Sequence, residues 1–340
     1  MSFAKYALRR CLFMTAVLFG VTIIIFLLTR AVPANPAALY VGPLARPEQI
    51  EAAKITLGLD QPLPVQYVRY VRDLFQGNWG VSLRTRQPVL NDLIRFLPNS
   101  LELIGMSIFF SVLIGVPLGA LVARKRNSLT DHASRLISIA GVSVPSFWLA
   151  LLLQILFVRN LQWLPVGGRI SLGISMSHPV HQLTGFMFLD ALLTGNLTAA
   201  KDMLIHSAMP VLTLSAYPIG MFTRMTRSTM LDVLSQDYIR TAKAFGHRER
   251  AITYLYALKN AMGPTLTVIG LTFAYALIGA FFVELIFSWP GIGTYAVNAI
   301  RSMDYPAVLG ACLVIAFIYI FINLIIDLLQ ALLDPRISID

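Results

Sequence analysis

Ser235-Gln-Asp-Tyr-Ile-Arg-Thr-Ala-Lys-Ala-Phe-Gly246, continuing His-Arg-Glu-Arg-Ala-Ile252 and on to Pro264, is a polar interruption between two long apolar runs. Its pattern is that of two short helices. Ser235 has the hydroxyl of an N-cap, able to accept from a free amide of the first turn. Asp237 stands where a carboxylate meets the positive end of the helix dipole. Leu234, Tyr238, Ala242 and Phe245 recur at i, i+4, i+8 and i+11 and form one apolar stripe, with Asp237, Arg240, Thr241 and Lys243 on the other faces. Gly246 supplies a left-handed residue to end the helix. A second helix, roughly Arg248 to Met262, carries Ile252, Leu255 and Leu258 before meeting Pro264. Physics alone leaves two readings: an amphipathic helix lying in a lipid interface, or a helix presented to a soluble partner.

Hydrophobic residues make up 56% of the 340-residue chain and charged ones 13%, and the mean hydropathy is +0.70. A soluble domain carries about 25% charged residues, so this is the composition of an integral protein of the lipid bilayer. The net charge of +10 does not point to nucleic acid, since many basic residues cluster beside apolar runs, as orientation signals do. Cys11 and Cys312 both fall within apolar runs, so no disulfide framework is implied.

Lys5, Arg9 and Arg10 precede an uncharged run from Cys11 to Thr29. Ala31-Val-Pro-Ala34 offers small residues for signal cleavage, but the run exceeds a signal core and is long enough to span, so it reads as an uncleaved first span. Residues 31–98 follow, punctuated by prolines, with Tyr67, Tyr70, Phe75 and Trp79 interleaved with Arg69, Arg72 and Asp73. They read as a small folded cap, with an interfacial loop as the alternative. Further spans are expected at Ile104–Ala123, Leu136–Val158, Met203–Thr223, Asn260–Val283 and Tyr305–Ile326. Gly115 and Gly119 have the spacing that lets helices approach closely, with a kink at Pro117 as the alternative. Leu164–Gly168 reads as a turn and Phe186–Leu193 as a short interfacial helix. His178 and His181 make a poor metal pair, separated by Pro179 and without a third ligand.

Pro210 and Pro218 within the fourth span free backbone carbonyls, which is tolerated only against protein or a water-lined cavity. They are candidate pathway residues, with simple kinking as the alternative. Glu284 is a candidate gate residue because an acid at membrane depth is functional by default. Its place at a span end favours a structural role. Six spans put both termini on one side. Lys5, Arg9, Arg10, Arg124, Lys125, Arg126, Arg135 and the seven basic residues from Arg224 to Lys259 all fall on that side, which marks it as cytoplasmic. Residues 31–98 then face outward. The chain contains no phosphate-binding loop. Its span interiors lack the ionisable relays of an intramembrane enzyme or a secondary transporter.

Asp237-Tyr-Ile-Arg-Thr-Ala242, Gly246 and Ala257-Leu-Lys-Asn-Ala261 with Pro264 resemble the cytoplasmic coupling loop of binding-protein-dependent ABC importer permeases, in the dipeptide/oligopeptide/nickel branch. The superfamily pattern is Glu-Ala-Ala, three residues, Gly, nine residues, then Ile-x-Leu-Pro. Ala242, Gly246 and Leu258 keep it, whereas Arg240, Thr241 and Lys259 replace its Glu, first Ala and Pro. The peptide branch itself commonly reads Asp-Tyr-Ile-Arg-Thr-Ala there. Leu57-Gly-Leu-Asp-Gln-Pro62, Gly77-Asn-Trp-Gly80 with Ser82-Leu83, Phe287-Ser-Trp-Pro-Gly-Ile-Gly293 and Leu333-Asp-Pro-Arg336 also resemble that branch.

The resemblance implies an all-α membrane protein of the type I ABC importer permease fold: a first helix over residues 1–30, a partly helical extracytoplasmic region over 31–98, and a transmembrane domain over 99–334 with its coupling loop at 224–260. It implies an inner-membrane subunit carrying short peptides, working with a second homologous permease, two cytoplasmic ABC ATPase subunits and an extracytoplasmic solute-binding protein. ATP and Mg would belong to the ATPase chains; this chain would have no cofactor, no metal and no catalytic residue. ATPase coupling would fall to Asp237, Tyr238, Arg240, Thr241, Ala242, Phe245 and Gly246. The permease motifs do not separate peptide from nickel, opine or glutathione cargo. A channel or scaffold without an ATPase is the reading from another class.

Overall fold

The computed structural model describes residues 3–31, 36–42, 45–56, 58–125 and 127–333. The expected features at 32–34, at Leu57, at Arg126 and at Asp334–Arg336 lie outside the described residues. In chain order the helices are α1 (Phe3–Ala31), α2 (Pro36–Val41), α3 (Pro47–Thr56), α4 (Leu63–Phe75), α5 (Val89–Arg124), α6 (Leu129–Ser143), α7 (Ser146–Leu153), α8 (Leu172–Ser177), α9 (Met187–Leu193), α10 (Leu197–Leu234), α11 (Asp237–Ala244), α12 (Glu249–Ala251), α13 (Leu258–Ile286), α14 (Ile292–Arg301) and α15 (Tyr305–Leu333). π-helical stretches at Gln154–Asn160 and Ile252–Ala257 continue α7 and join α12 to α13.

Among the described residues, five helical segments are long and apolar enough to cross a membrane: α1, α5, α10, α12–α13 taken as one, and α15. The third expected span, Leu136–Val158, is not straight. Val144-Pro145 breaks it into α6 and α7, which meet at 103°, because Pro145 lacks the N–H that would continue α6. The pair still crosses. Asp131 in α6 bonds Arg227 near the α11 end of α10, whereas Gln154 after α7 donates to Ile286 O at the opposite end of α13. The α11 end is called lower here, and the end bearing α9 and α14 upper.

The other spans are longer than their apolar runs suggest. α5 starts at Val89, so the last residues of the 31–98 stretch are helical, and Pro98 and Pro117 both lie inside it. α10 covers 38 residues and holds Pro210 and Pro218 within an unbroken helix. It is the central helix of the bundle, packed against α5, α6, α7 and α13. Gly115 and Gly119 allow the closest approach of α5 to it. A Cβ on Gly119 would stand 2.7 Å from both Thr223 O and Thr226 Cβ.

The segment after α1 is folded. Phe26 of α1 packs between Tyr67 and Tyr70 of α4, ring centroids 5.4 and 5.8 Å away. Farther along, buried Asp304 accepts hydrogen bonds from Ser82 Oγ and from the Arg84 amide, tying this cap to the start of α15. At the lower end Arg10 of α1 pairs with Asp327 of α15 at 3.0 Å.

Candidate functional site

The lower end is built on the overhang of α10. Ser235 is not the N-cap of α11: it keeps helical angles at the end of α10, and its hydroxyl donates back to Asp232 O at 2.7 Å. Gln236, extended at φ −74° and ψ 152°, precedes α11 without a side-chain cap. The buried edge of α11 is Ile239 and Ala242, which join Ala120, Ala123, Met230, Ile252, Ala257 and Ala261 in one cluster. The expected stripe through Tyr238 and Phe245 is therefore turned away from the body. Ile239 is fully buried, while Tyr238 is 43% exposed and Phe245 79%.

Arg240, Thr241 and Lys243 are exposed, as Phe245 is. Asp237 and Arg240 pair at 3.2 Å in open solvent, where such a pair is worth little. Tyr238 Oη accepts from Asn260 Nδ2 at 2.9 Å. Gly246 has φ +76° and closes α11 in a Schellman turn: its own N–H donates to Lys243 O at 3.0 Å and that of His247 to Ala242 O at 3.2 Å. The chain then re-enters helix at Glu249 and runs through the π-helical stretch and past Pro264 without a stop. The expected second short helix and fifth span are one rod.

A cavity of about 210 Å³ opens where α6 and α7 part, lined by Ser146, Thr213, Tyr217, Pro218, Thr272 and Tyr275 among others. Pro218 thus borders a space with hydroxyl groups at mid-bundle. Pro210 is buried and does not line it.

Glu284 does not reach that cavity either. It is 1% exposed, and its carboxylate accepts from Ser100 Oγ, from Gly293 N at 2.7 Å and from Thr294 N at 3.2 Å. The loop after α13 wraps it so closely that a Cβ on Gly291 would strike the carboxylate. Beside it Trp289 Nε1 donates to Asn99 O at 3.0 Å, and Asn99 Nδ2 to Pro290 O at 2.6 Å. Arg169 bonds Asn99 Oδ1 and pairs with Glu102, which also accepts from Phe188 N at 2.6 Å. This buried network fastens the upper ends of α5, α9 and α13 together, with Glu284 tied to α5 through Ser100.

Sequence reasoning passed over Arg169, Glu102 and Asn99, which are distant in the chain and share no motif. It also passed over buried Asp131, held by Arg135 at 2.6 Å and Arg227 at 2.7 Å. The signal available there was the i, i+4 spacing of Asp131 and Arg135 at a span start. No group of three metal-ligating side chains occurs among the described residues.

Residues 115–339 match the family described as binding-protein-dependent transport system inner membrane component, and residues 3–104 match the N-terminal region of such membrane components. The chain is 44% identical over 338 residues to a probable D,D-dipeptide transport system permease protein of Escherichia coli K12, covering 99% of this chain and 98% of that one. It is 41% identical to a dipeptide transport system permease protein of Alkalihalophilus pseudofirmus, covering 98% and 99%. It is 40% identical to a di/tripeptide transport system permease protein of Pseudomonas aeruginosa, covering 98% of each. A bundle of apolar helices with a short exposed helix at its lower end, matched over nearly its whole length, belongs to the family of binding-protein-dependent transport system inner membrane components.

Proposed function

We propose that this chain is one of two permease subunits of an ATP-driven importer of short peptides, with its termini and α11 in the cytoplasm. The observation that carries the reading is α11 itself, anchored by Ile239 and Ala242 while Tyr238, Arg240 and Phe245 are exposed. With the Ile239/Ala242 edge turned to its own chain, α11 exposes Tyr238 and Phe245 on one flank and Arg240 and Lys243 on the other, and keeps no uncharged face to lay in lipid. A helix seated in a groove of a soluble ATPase uses both the ring and the charges. Peptide cargo is supported by the relatives' names.

The cavity beside Pro218 and Tyr217 forms this subunit's half of the pathway, completed by the second permease. The cap formed by α2–α4 receives the solute-binding protein. Tyr70 packs on Phe26 of α1, and Trp79 and Phe75 line a space shared with α1 and α15, so the outward contact falls to exposed Asn78 and its neighbours. The test is uptake of a labelled dipeptide by an amino-acid auxotroph lacking its own peptide permeases and supplied with this chain and its partner subunits. Growth on the dipeptide supports the reading. Nickel accumulation without dipeptide uptake would replace it with a metal importer, and transport persisting without any ATPase subunit would make the chain a channel.

A further inference from the structure

Between α6 and the lower half of α10 lies a second cavity, of about 480 Å³, that the proposed pathway does not use. Arg135, Arg224 and Arg227 line it together with Ser134, Ser138 and Thr223. We infer that this cavity binds one oxyanion group, a carboxylate or a phosphate, at the lower end of the bundle.

Three guanidiniums line the cavity and no carboxylate does; the acid that pairs with two of them, Asp131, is already saturated. Asp131 is fully buried and accepts from Arg135 Nε and Nη2, from Arg227 Nε and Nη2, and from the Asn127 amide. Arg224 receives nothing from it: its Nη2 meets only Met221 Sδ, at 3.2 Å, and among the described residues it has no carboxylate partner. Thr223 adds an independent sign. It is 2% exposed, and its hydroxyl is buried with no hydrogen-bond partner. Buried hydroxyls are normally paired, and a helical threonine usually satisfies itself on the carbonyl one turn back. Orientation signals explain arginines at a span end, but they do not require Arg227 to be mostly buried or the three to surround one space. Guanidinium forks are suited to planar carboxylates and to phosphates.

The inference rests on the peptide-import reading in one respect: one source of the anion is the cargo's C-terminal carboxylate on its way to the cytoplasm. The other is the headgroup of an anionic lipid of the inner leaflet. The test uses the complete transporter with Arg224→Gln and Arg224→Lys, at a side chain that makes no ion pair here, so folding is spared.

First, thermal unfolding is followed as inorganic phosphate is added. Wild type is expected to gain stabilisation that Arg224→Gln lacks and Arg224→Lys partly keeps; ATPase sites respond equally in all three. Second, ATP-driven uptake of labelled alanyl-phenylalanine is measured in vesicles of phosphatidylcholine alone and with one-fifth phosphatidylglycerol. A fall of about tenfold for Arg224→Gln in phosphatidylcholine alone, the size of one lost charge-assisted hydrogen bond, assigns the site to the cargo carboxylate. A defect confined to phosphatidylglycerol vesicles, with that lipid missing from the purified variant by native mass spectrometry, assigns it to the headgroup. Equal phosphate response and equal uptake of wild type and Arg224→Gln in both vesicles would overturn the site. Failure of wild type to import any dipeptide, with the phosphate difference intact, overturns the cargo and leaves the site standing.

Discussion

Gly246 holds φ +76°, and no atom lies within 4 Å of where its Cβ would stand, so a substitution there acts through the backbone alone. A β-branched residue in that conformation costs about 1 kcal/mol or more. Gly246→Val is expected to reach the membrane at normal levels, measured by quantitative blot, and to lose uptake and substrate-stimulated ATP hydrolysis. Phe245→Ala should do the same without backbone strain. Normal transport by both would return α11 to the lipid interface. Ala242 is a poorer probe than its place on the expected stripe suggests, since it is packed against the α10 side and a large ring there would also unseat the helix. Periodicity marked Tyr238, Ala242 and Phe245 as apolar in common. It could not tell which of them faces its own chain and which faces a partner, because both surfaces are apolar.

Asp190 supplies a pH test. Burial pushes its carboxyl up, but hydrogen bonds from Thr184 Oγ1 at 2.7 Å, Thr184 N at 2.8 Å and Gly185 N outweigh this and hold it below the usual range. A depressed folded value means stability that is fully present above about pH 4, the ordinary carboxylate value, and lost as pH falls through the lower one. Asp190→Asn should flatten the fall in thermal stability below pH 4 relative to wild type; an unchanged acid limb would show that Asp190 does not contribute.

At the scale of elements, the apolar runs were legible and their continuations were not. Hydropathy found the cores of α5 and α10, but helices extend through the polar residues at their ends when neighbouring helices satisfy them, as at Val89–Phe96 and Arg224–Leu234. Pro145 broke α6 from α7 while Pro117, Pro210, Pro218 and Pro264 did not break their helices, a difference set by the packing around each and invisible in the residue type. The loop Phe287–Gly293 was recognisable as a motif, whereas its mechanism needed Ser100 and Asn99 from α5. Glu284→Leu removes the acceptor of the Gly293 and Thr294 amides and of Ser100. Each buried donor left unpaired costs about 1–3 kcal/mol. The expected outcome is a lower unfolding midpoint of the purified transporter and reduced membrane levels. Glu284→Gln, which keeps one acceptor oxygen, should fall between. Reduced transport by Glu284→Leu at full stability would instead make the residue a gate.

For the whole molecule, the topology has one decisive test. With Cys11 and Cys312 replaced by alanine, a cysteine at exposed Asn78 should react with an impermeant maleimide in cells whose outer membrane alone is opened, and one at Lys243 only after the inner membrane is breached. The reverse pattern would invert the orientation that the arginine and lysine positions imply. The segment Glu249–Ile286 is one rod of 38 residues, about 57 Å at the rise of a helix. Its foot, Ile252 and Ala257, forms the floor under Ile239, and its head is Glu284 inside the 287–294 loop. A tilt of about 5° pivoting at the foot carries the head roughly 5 Å sideways. The two faces of the membrane are therefore two handles on a single shaft: a cross-link that pins the buried 287–294 loop to α5 at the upper face is expected to hold still the floor under Ile239 at the other.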